Sequence, residues 1–346
     1  MLSEKEFLRR KAKEVLSSLV GVYSPSGRED ALIPVMEKIS SELNLDLRVT
    51  ETKSFLLGSD SKFLLASHLD TVPGFLEPKV TEESISGRGA VDAKGPFTAM
   101  LLAGWMLNEN GCKVTVAGLS DEENLSSGAK ELVRQSKRFE HIVIGEPTNA
   151  IHVAIEYRGL LRISVKCRGA QEHSSSSSSN VILKYMPKIL QVSKLPGSFD
   201  EPSVMPTVVR AGEALNVTPR ELEAFFDVRF PYGTSGDILI SSFREVFSEC
   251  EVEIRERIEP VRVSPNTQIV RALMRGLLKQ GIKPSLVRKG GTSDMNILAT
   301  ITGSIATYGP GDATLEHTDR EVVSLDELYI STMTYYNAIG ELCLRS

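Results

Sequence analysis

Residues 62–74 read KFLLASHLDTVPG. The first part is a short apolar run bounded by turn residues, which suits a buried strand. It breaks off at His68 and Asp70, so two potential ligands stand just past a strand end. The same arrangement recurs outward from this point. Residues 92–107 (DAKGPFTAMLLAGWML) are apolar and long enough for a buried helix; 113–120 (KVTVAGLS) and 141–147 (HIVIGEP) read as strands, with a helix over 126–137 between them. Amphipathic helices from the N-terminus to near Gly21 and over 31–43 precede the run, joined by the loop YSPSGRED. Alternating strands and helices predict an α/β layer with a central, mostly parallel sheet.

The pattern changes after Tyr157. In 158–169 (RGLLRISVKCRG) Leu161, Ile163, Val165 and Cys167 fall on one face, and Arg158, Arg162, Lys166 and Arg168 on the other, with Leu160 and Ser164. Residues 221–230 (ELEAFFDVRF) alternate in the same way, and 249–259 more weakly. Period-two alternation marks a sheet with one wet face. Residues 158–262 are therefore expected to form an α+β domain inserted into a first domain made of 1–157 and 263–346. Helical character resumes at 264–280.

At 346 residues, with 41% hydrophobic and 25% charged residues, the composition is that of an ordinary globular protein with two domains. A net charge of −5 argues against general nucleic-acid binding. No apolar run is long enough for a bilayer and the charged N-terminus does not resemble a signal peptide, so no membrane association and a cytoplasmic location are expected. Cys112, Cys167, Cys250 and Cys343 are far apart without a Cys-x-x-Cys pair, and read as reduced, mostly buried thiols.

Candidate ligands gather where strands end: His68 and Asp70, Asp92 before a helix, Asp121-Glu122-Glu123, Glu146, and His317 in the returning segment. The carboxyl ends of parallel strands form the ligand crevice of open α/β sheets. Two histidines with several carboxylates and no cysteine suit zinc or a similar divalent ion, and a carboxylate can bridge two. Each element alone has a plainer reading. His-x-Asp can be a surface loop or a satisfied pair; the adjacent acids can cap the helix that follows; Glu146 can simply end a strand. His141 and His152 read as structural. The run GAQEHSSSSSSN (169–180) is either a flexible tether or, through His173, part of a site.

Taken in order, SHLDTVPG, GRGAVDAKGP, SDEE, GEPT, GGTSD and GPGDATLEHTDRE resemble the motifs of the co-catalytic zinc amidohydrolases and peptidases, among them acetylornithine deacetylase, succinyl-diaminopimelate desuccinylase and glutamate carboxypeptidase. The resemblance spans nearly the whole chain. It implies two zinc ions, with cobalt as a substitute. His68 and Glu146 would hold one metal, Glu123 and His317 the other, and Asp92 would bridge them, followed by a cis peptide. Asp70 would orient His68, and Glu122 would be the general base. The inserted domain matches the family's lid and dimerisation domain. Its loop presents a histidine to the partner subunit's site, and Gly169 and His173 match that glycine and histidine. The serine run then becomes a loop leading into a capped helix over 180–190, although it lacks the family's usual proline. Arg158, Asn216, Arg229, Gly291 and Thr292 match positions that grip the substrate carboxylate.

Within the family the short chain is most similar to members that release lysine or ornithine from the terminal glutamate of an acidic amino-group carrier protein in lysine and arginine biosynthesis. Deacetylase, desuccinylase and dipeptidase activities are the alternatives within the family, and a non-catalytic dimeric binding module is the alternative outside it. The cations of 158–168 are either a docking stripe for the acidic carrier or a solvated face paired with Glu221, Glu223 and Asp227.

Overall fold

The computed structural model describes residues 3–135 and 139–344. The chain divides into two compact units: Met1–Ile155, Val263–Arg288 and Ser293–Ser346 form the first, and Glu156–Arg262 with Lys289–Thr292 the second.

In the first unit the strand Phe63–His68 lies between Thr115–Leu119 and His141–Ile144 and runs parallel to both. Every residue of the three strands is buried. A strand covered on both faces has no wet side to alternate with, which is why these segments read as continuous apolar runs. Ile305–Thr307 continues the parallel set beside His141–Ile144. Antiparallel strands flank it: Phe55–Gly58 and Leu47–Val49 on one side, His152–Tyr157 on the other. From Phe63–His68 the chain moves first to a neighbour on one side and later to one on the other. Strand order therefore reverses at this strand, the place where open α/β sheets bind ligands.

Helix Lys94–Glu109 is buried along most of its length. Helices Glu4–Val20 and Leu325–Cys343 open with capping boxes, Ser3 with Glu6 and Ser324 with Glu327. The helix expected over 126–137 runs Ser127–Arg134, and residues 136 and 137, like 1 and 2 of the first expected helix, lie outside the described residues. A three-stranded sheet of Val322–Ser324, Ser84–Ser86 and Lys79–Val80 completes the unit.

The second unit is a four-stranded antiparallel sheet in the order Ser203–Ala211, Glu221–Phe230, Gly159–Arg168, Glu251–Ile258. Leu161, Ile163, Val165 and Cys167 pack with Leu222, Ala224, Phe226 and Val228 against Tyr185 and Ile189 of helix Val181–Val192 and Phe243 of helix Gly236–Val246. Asn180 caps the first of these helices by accepting from the amides of Ile182 and Leu183. On the other sheet face Arg162 pairs with Glu256 at 2.7 Å and Lys166 with Glu221 at 2.8 Å. Arg168 lies 3.9 Å from Glu221, and Arg158 is buried. Cross-strand acids thus pair with Arg162 and Lys166, while Arg168 stays 73% exposed at its side chain.

The four cysteines are not the reduced thiols expected. Cys112 is bonded to Cys343 and Cys167 to Cys250. Partners 231 and 83 residues apart leave no trace in local spacing. The fold supplies the proximity: Lys166 pairs with Glu251 across neighbouring strands, which brings Cys167 beside Cys250. Disulfides are rare in reducing compartments, with intracellular hyperthermophile proteins as the exception.

Candidate metal centre

Three parallel strands deliver side chains to one end of the first unit's sheet. His68 ends the central strand, Asp121-Glu122-Glu123 follow its neighbour on one side, and Glu146 follows its neighbour on the other. Asp92 precedes helix Lys94–Glu109, and the Asp92–Ala93 peptide is cis, as the resemblance implies. His317 arrives from the returning segment with a left-handed backbone, φ 62°.

Asp92 is the centre of the cluster. Its Oδ1 lies 3.0 Å from His68 Nε2 and its Oδ2 3.1 Å from His317 Nε2. His317 Nε2 also lies 2.9 Å from Glu123 Oε1. His68, Asp92 and Glu123 each offer a ligand atom within 4.8 Å of the others. Behind His68, its Nδ1 donates to the backbone carbonyl of Asp70 at 2.9 Å, so in the neutral ring Nε2 bears the lone pair that faces Asp92. The Asp70 carboxylate lies farther from the ring, at 3.6 Å, and accepts instead from Ser26 Oγ and the amides of Glu122 and Glu123. Among the described residues Glu123, and not Glu122, contacts a histidine. Glu146 is buried and acts electrostatically on Glu122.

The electrostatics favour a cation. Bonds to Asp92 and Glu123 push His317 up to about 10. Burial opposes protonation of His68, but the neighbouring carboxylates of Asp70 and Asp92 outweigh it and hold the ring well above its ordinary value. Burial pushes the Glu122 carboxyl well up; His68 opposes this, and Glu146, Asp294 and Glu123 add to it. The carboxylates thus stabilise positive charge at this spot, whether a proton on imidazole or a divalent ion. Imidazole and carboxylate donors without thiolate fit zinc or a similar ion, and the two-sided contact of Asp92 fits a bridge.

Three residues at this centre carried no role in the sequence reading. Glu29 is buried and accepts from the amide of Asp121 at 2.9 Å. Asp294, the aspartate of GGTSD, is buried, and burial pushes its carboxyl up to about 7. Glu321 holds the loop that carries Asp92. His141 and His152 sit against the hydroxyls of Ser304 and Ser285, in keeping with structural roles.

The remaining candidates belong to the second unit. His173 pairs with Val217, with Ser174 N donating to Asn216 O at 3.0 Å and Thr218 N to Glu172 O at 2.9 Å. The loop before the serine run is thereby pinned, and the imidazole itself is exposed. Arg229 makes a two-point contact with Asp227 at 2.8 and 3.1 Å, and its Nη1 lies 3.4 Å from Thr292 Oγ1. Arg158 donates to the carbonyls of Arg229, at 2.9 Å, and Glu201. Gly291 is exposed.

A parallel sheet that converges two imidazoles and several carboxylates at its switch point defines a metallopeptidase-type hydrolase. The chain belongs to peptidase family M20/M25/M40, whose profile matches residues 64–341. It is 51% identical to a LysW-lysine/LysW-ornithine hydrolase of Saccharolobus islandicus strain Y.N.15.51, with 100% of both chains covered. It is 49% identical to the protein of that name from Sulfurisphaera tokodaii, covering 100% of this chain and 99% of the other. Among solved structures, a tripeptidase from Staphylococcus aureus superposes with a TM-score of 0.84 at 20% identity, covering 98% and 99% of the two chains. A dinuclear metal-binding peptidase of the M20 family from Bacillus subtilis gives 0.77 at 12% identity, covering 98% and 99%. No helix among the described residues is long and apolar enough to cross a membrane.

Proposed function

We propose that this chain hydrolyses the amide joining the α-amino group of lysine or ornithine to the terminal glutamate of LysW, an acidic amino-group carrier, in cytoplasmic amino-acid biosynthesis. The observation that carries a two-metal hydrolase is Asp92, with one carboxylate oxygen toward His68 and the other toward His317. Full-length identity of about half with LysW-lysine/LysW-ornithine hydrolases supports the substrate.

His68 and Glu146 would hold one zinc ion, Glu123 and His317 the other, and Asp92 both, with cobalt as a substitute. Such ions, when bound, polarise the scissile carbonyl and acidify water. Glu122 takes a proton from the attacking water and delivers it to the leaving amine; its burial among other carboxylates, which raises its affinity for protons, suits that exchange. The second unit serves as lid and dimerisation domain. His173 of a second copy donates to the tetrahedral oxyanion. Arg158, Asn216, Arg229, Gly291 and Thr292 receive the substrate carboxylate, a task for which an arginine fork is suited. Pairing of two copies through the lid is supported by the edge strand Ser203–Ala211 and by Leu183 and Leu190, 77% and 67% exposed on the neighbouring helix.

The test offers the purified chain LysW-linked lysine, LysW-linked ornithine, N-acetylornithine, N-succinyl-diaminopimelate and a dipeptide in parallel. Release of lysine or ornithine from LysW at the highest kcat/KM is expected. Preferential deacetylation, desuccinylation or dipeptide cleavage would replace the carrier reading, and no turnover with metal bound would favour a binding module.

A further inference from the structure

Glu321 lies four residues beyond His317 and just before the strand Val322–Ser324. That strand pairs with Ser84–Ser86, Val322 opposite Ser86, and the amide of Gly87 donates to the Glu321 carbonyl. The pairing places the Glu321 side chain under the turn that leads from Gly87 to Asp92. One carboxylate oxygen, Oε2, accepts from the amides of Gly89 at 2.9 Å, Val91 at 3.2 Å and Asp92 at 3.4 Å. The other, Oε1, accepts from Arg88 Nη1 at 2.6 Å. Glu321 is 1% exposed and Arg88 6%. Arg88 also donates to the carbonyls of Gly74 and Thr318, so it ties the same turn to the His317 segment. The turn needs Gly89: its φ is +83°, and a Cβ there would meet Thr71 Cγ2 at 2.8 Å.

We infer that Glu321 is a positioning residue for the metal centre: its carboxylate fixes the Gly89–Asp92 turn, and with it the angle at which Asp92 meets His68 and His317. The inference rests on the reading of Asp92 as the metal bridge. A buried carboxylate that accepts several amides is costly to place unless it is fully bonded, and here every contact but one goes to the backbone of a single turn. Partners of metal ligands typically change metal affinity or activity by about 10–100-fold when altered.

The test is metal affinity, measured on the full-length metal-free chain by competition with a chromophoric chelator, using Zn²⁺ and Co²⁺ as probes. Glu321→Gln keeps the shape but sets an amide against Arg88; affinity is expected to fall about 10–100-fold. Glu156→Gln is the control for general loosening: it removes another buried carboxylate that pairs with an arginine, the exposed Arg262, in the second unit, and should leave affinity as in the unaltered chain. Asp92→Asn is measured beside them. Unchanged affinity in Glu321→Gln, with loss in Asp92→Asn, overturns the inference and leaves the two-metal reading standing. Equal loss in Glu156→Gln also overturns it. Full affinity in Asp92→Asn sinks the bridge reading, and this inference with it. Should Glu321→Gln not fold, Arg88→Lys carries the test, because it keeps the charge but removes the fork that holds the carboxylate. Several-fold weaker binding is then expected, and unaltered binding overturns the inference.

Discussion

The backbone amide of Glu122 donates to Asp70 Oδ1 at 3.1 Å, and the next amide, of Glu123, takes the other oxygen, also at 3.1 Å. Asp70 is fully buried and reaches this turn from the neighbouring strand. With Glu29 on the amide of Asp121, three successive N–H groups each meet a buried carboxylate. The carboxylates thus fix how the chain leaves the strand, and so which of the paired glutamates faces His317.

Asp70→Asn should disturb this turn, since its amide nitrogen cannot accept from one of the two N–H groups. We expect kcat to fall about 10–100-fold, the usual scale for a partner of metal ligands. Steady-state kinetics with metal content measured on the same sample check this; an unchanged kcat would make the turn self-sufficient.

The paired glutamates separate cleanly. Glu122→Ala should retain metal yet lose about 10²-fold or more in turnover, the scale of general-base loss. Glu123→Ala and His317→Ala should bind less metal, as read by elemental analysis after gel filtration. If Glu122→Ala strips the metal and Glu123→Ala does not, their roles are exchanged.

His173 is predicted to act in trans. Inactive His173→Ala and inactive Glu122→Ala chains, mixed in equal amounts with subunit exchange verified, should recover about a quarter of full activity, because half the dimers carry one intact site of two. No recovery places His173 in its own subunit's site or outside catalysis.

Both disulfides should be visible in solution. The denatured, unreduced chain should give no reaction with a thiol reagent, and after reduction all four cysteines should react. Replacing Cys167 and Cys250 by serine should lower unfolding free energy in urea by about 4–5 kcal/mol, the chain-entropy figure for a loop of this length. Free thiols in the unreduced chain, or an unshifted urea midpoint, would count against the bridge.

The sequence made some of this legible. Leu161 to Cys167 and Leu222 to Phe230 alternate because one face of their sheet packs on helices, so the inserted unit could be read from period alone. Strand Ser203–Ala211 could not: Pro206 lies inside it and its register shifts between Pro206 and Val208, which breaks the alternation. The candidate ligands were visible because their chemistry requires particular residue types at strand ends. Glu29 and Glu321 were not, since an acid that bonds to backbone amides demands nothing of the amino acids it contacts. Neither the disulfides nor the pairing of Arg162 with Glu256 was evident, because both depend on which strands become neighbours.

The second unit leaves and rejoins the chain through residues that are themselves paired: Tyr157 lies opposite Val261 and Glu156 opposite Arg262, with both guanidinium–carboxylate bonds at 2.8 Å. To the remainder of the chain, a long insertion therefore has the entropic cost of a short hairpin, since its ends are already closed on each other. Evolution can lengthen or shorten the stretch between those ends while the first unit keeps its own connectivity. The insertion can then diverge, provided the position of His173 is kept, while the candidate metal ligands of the first unit stay unchanged. A hybrid that swaps residues 158–260 for the equivalent stretch of another family member should fold, with a single cooperative unfolding transition, because the paired ends are kept.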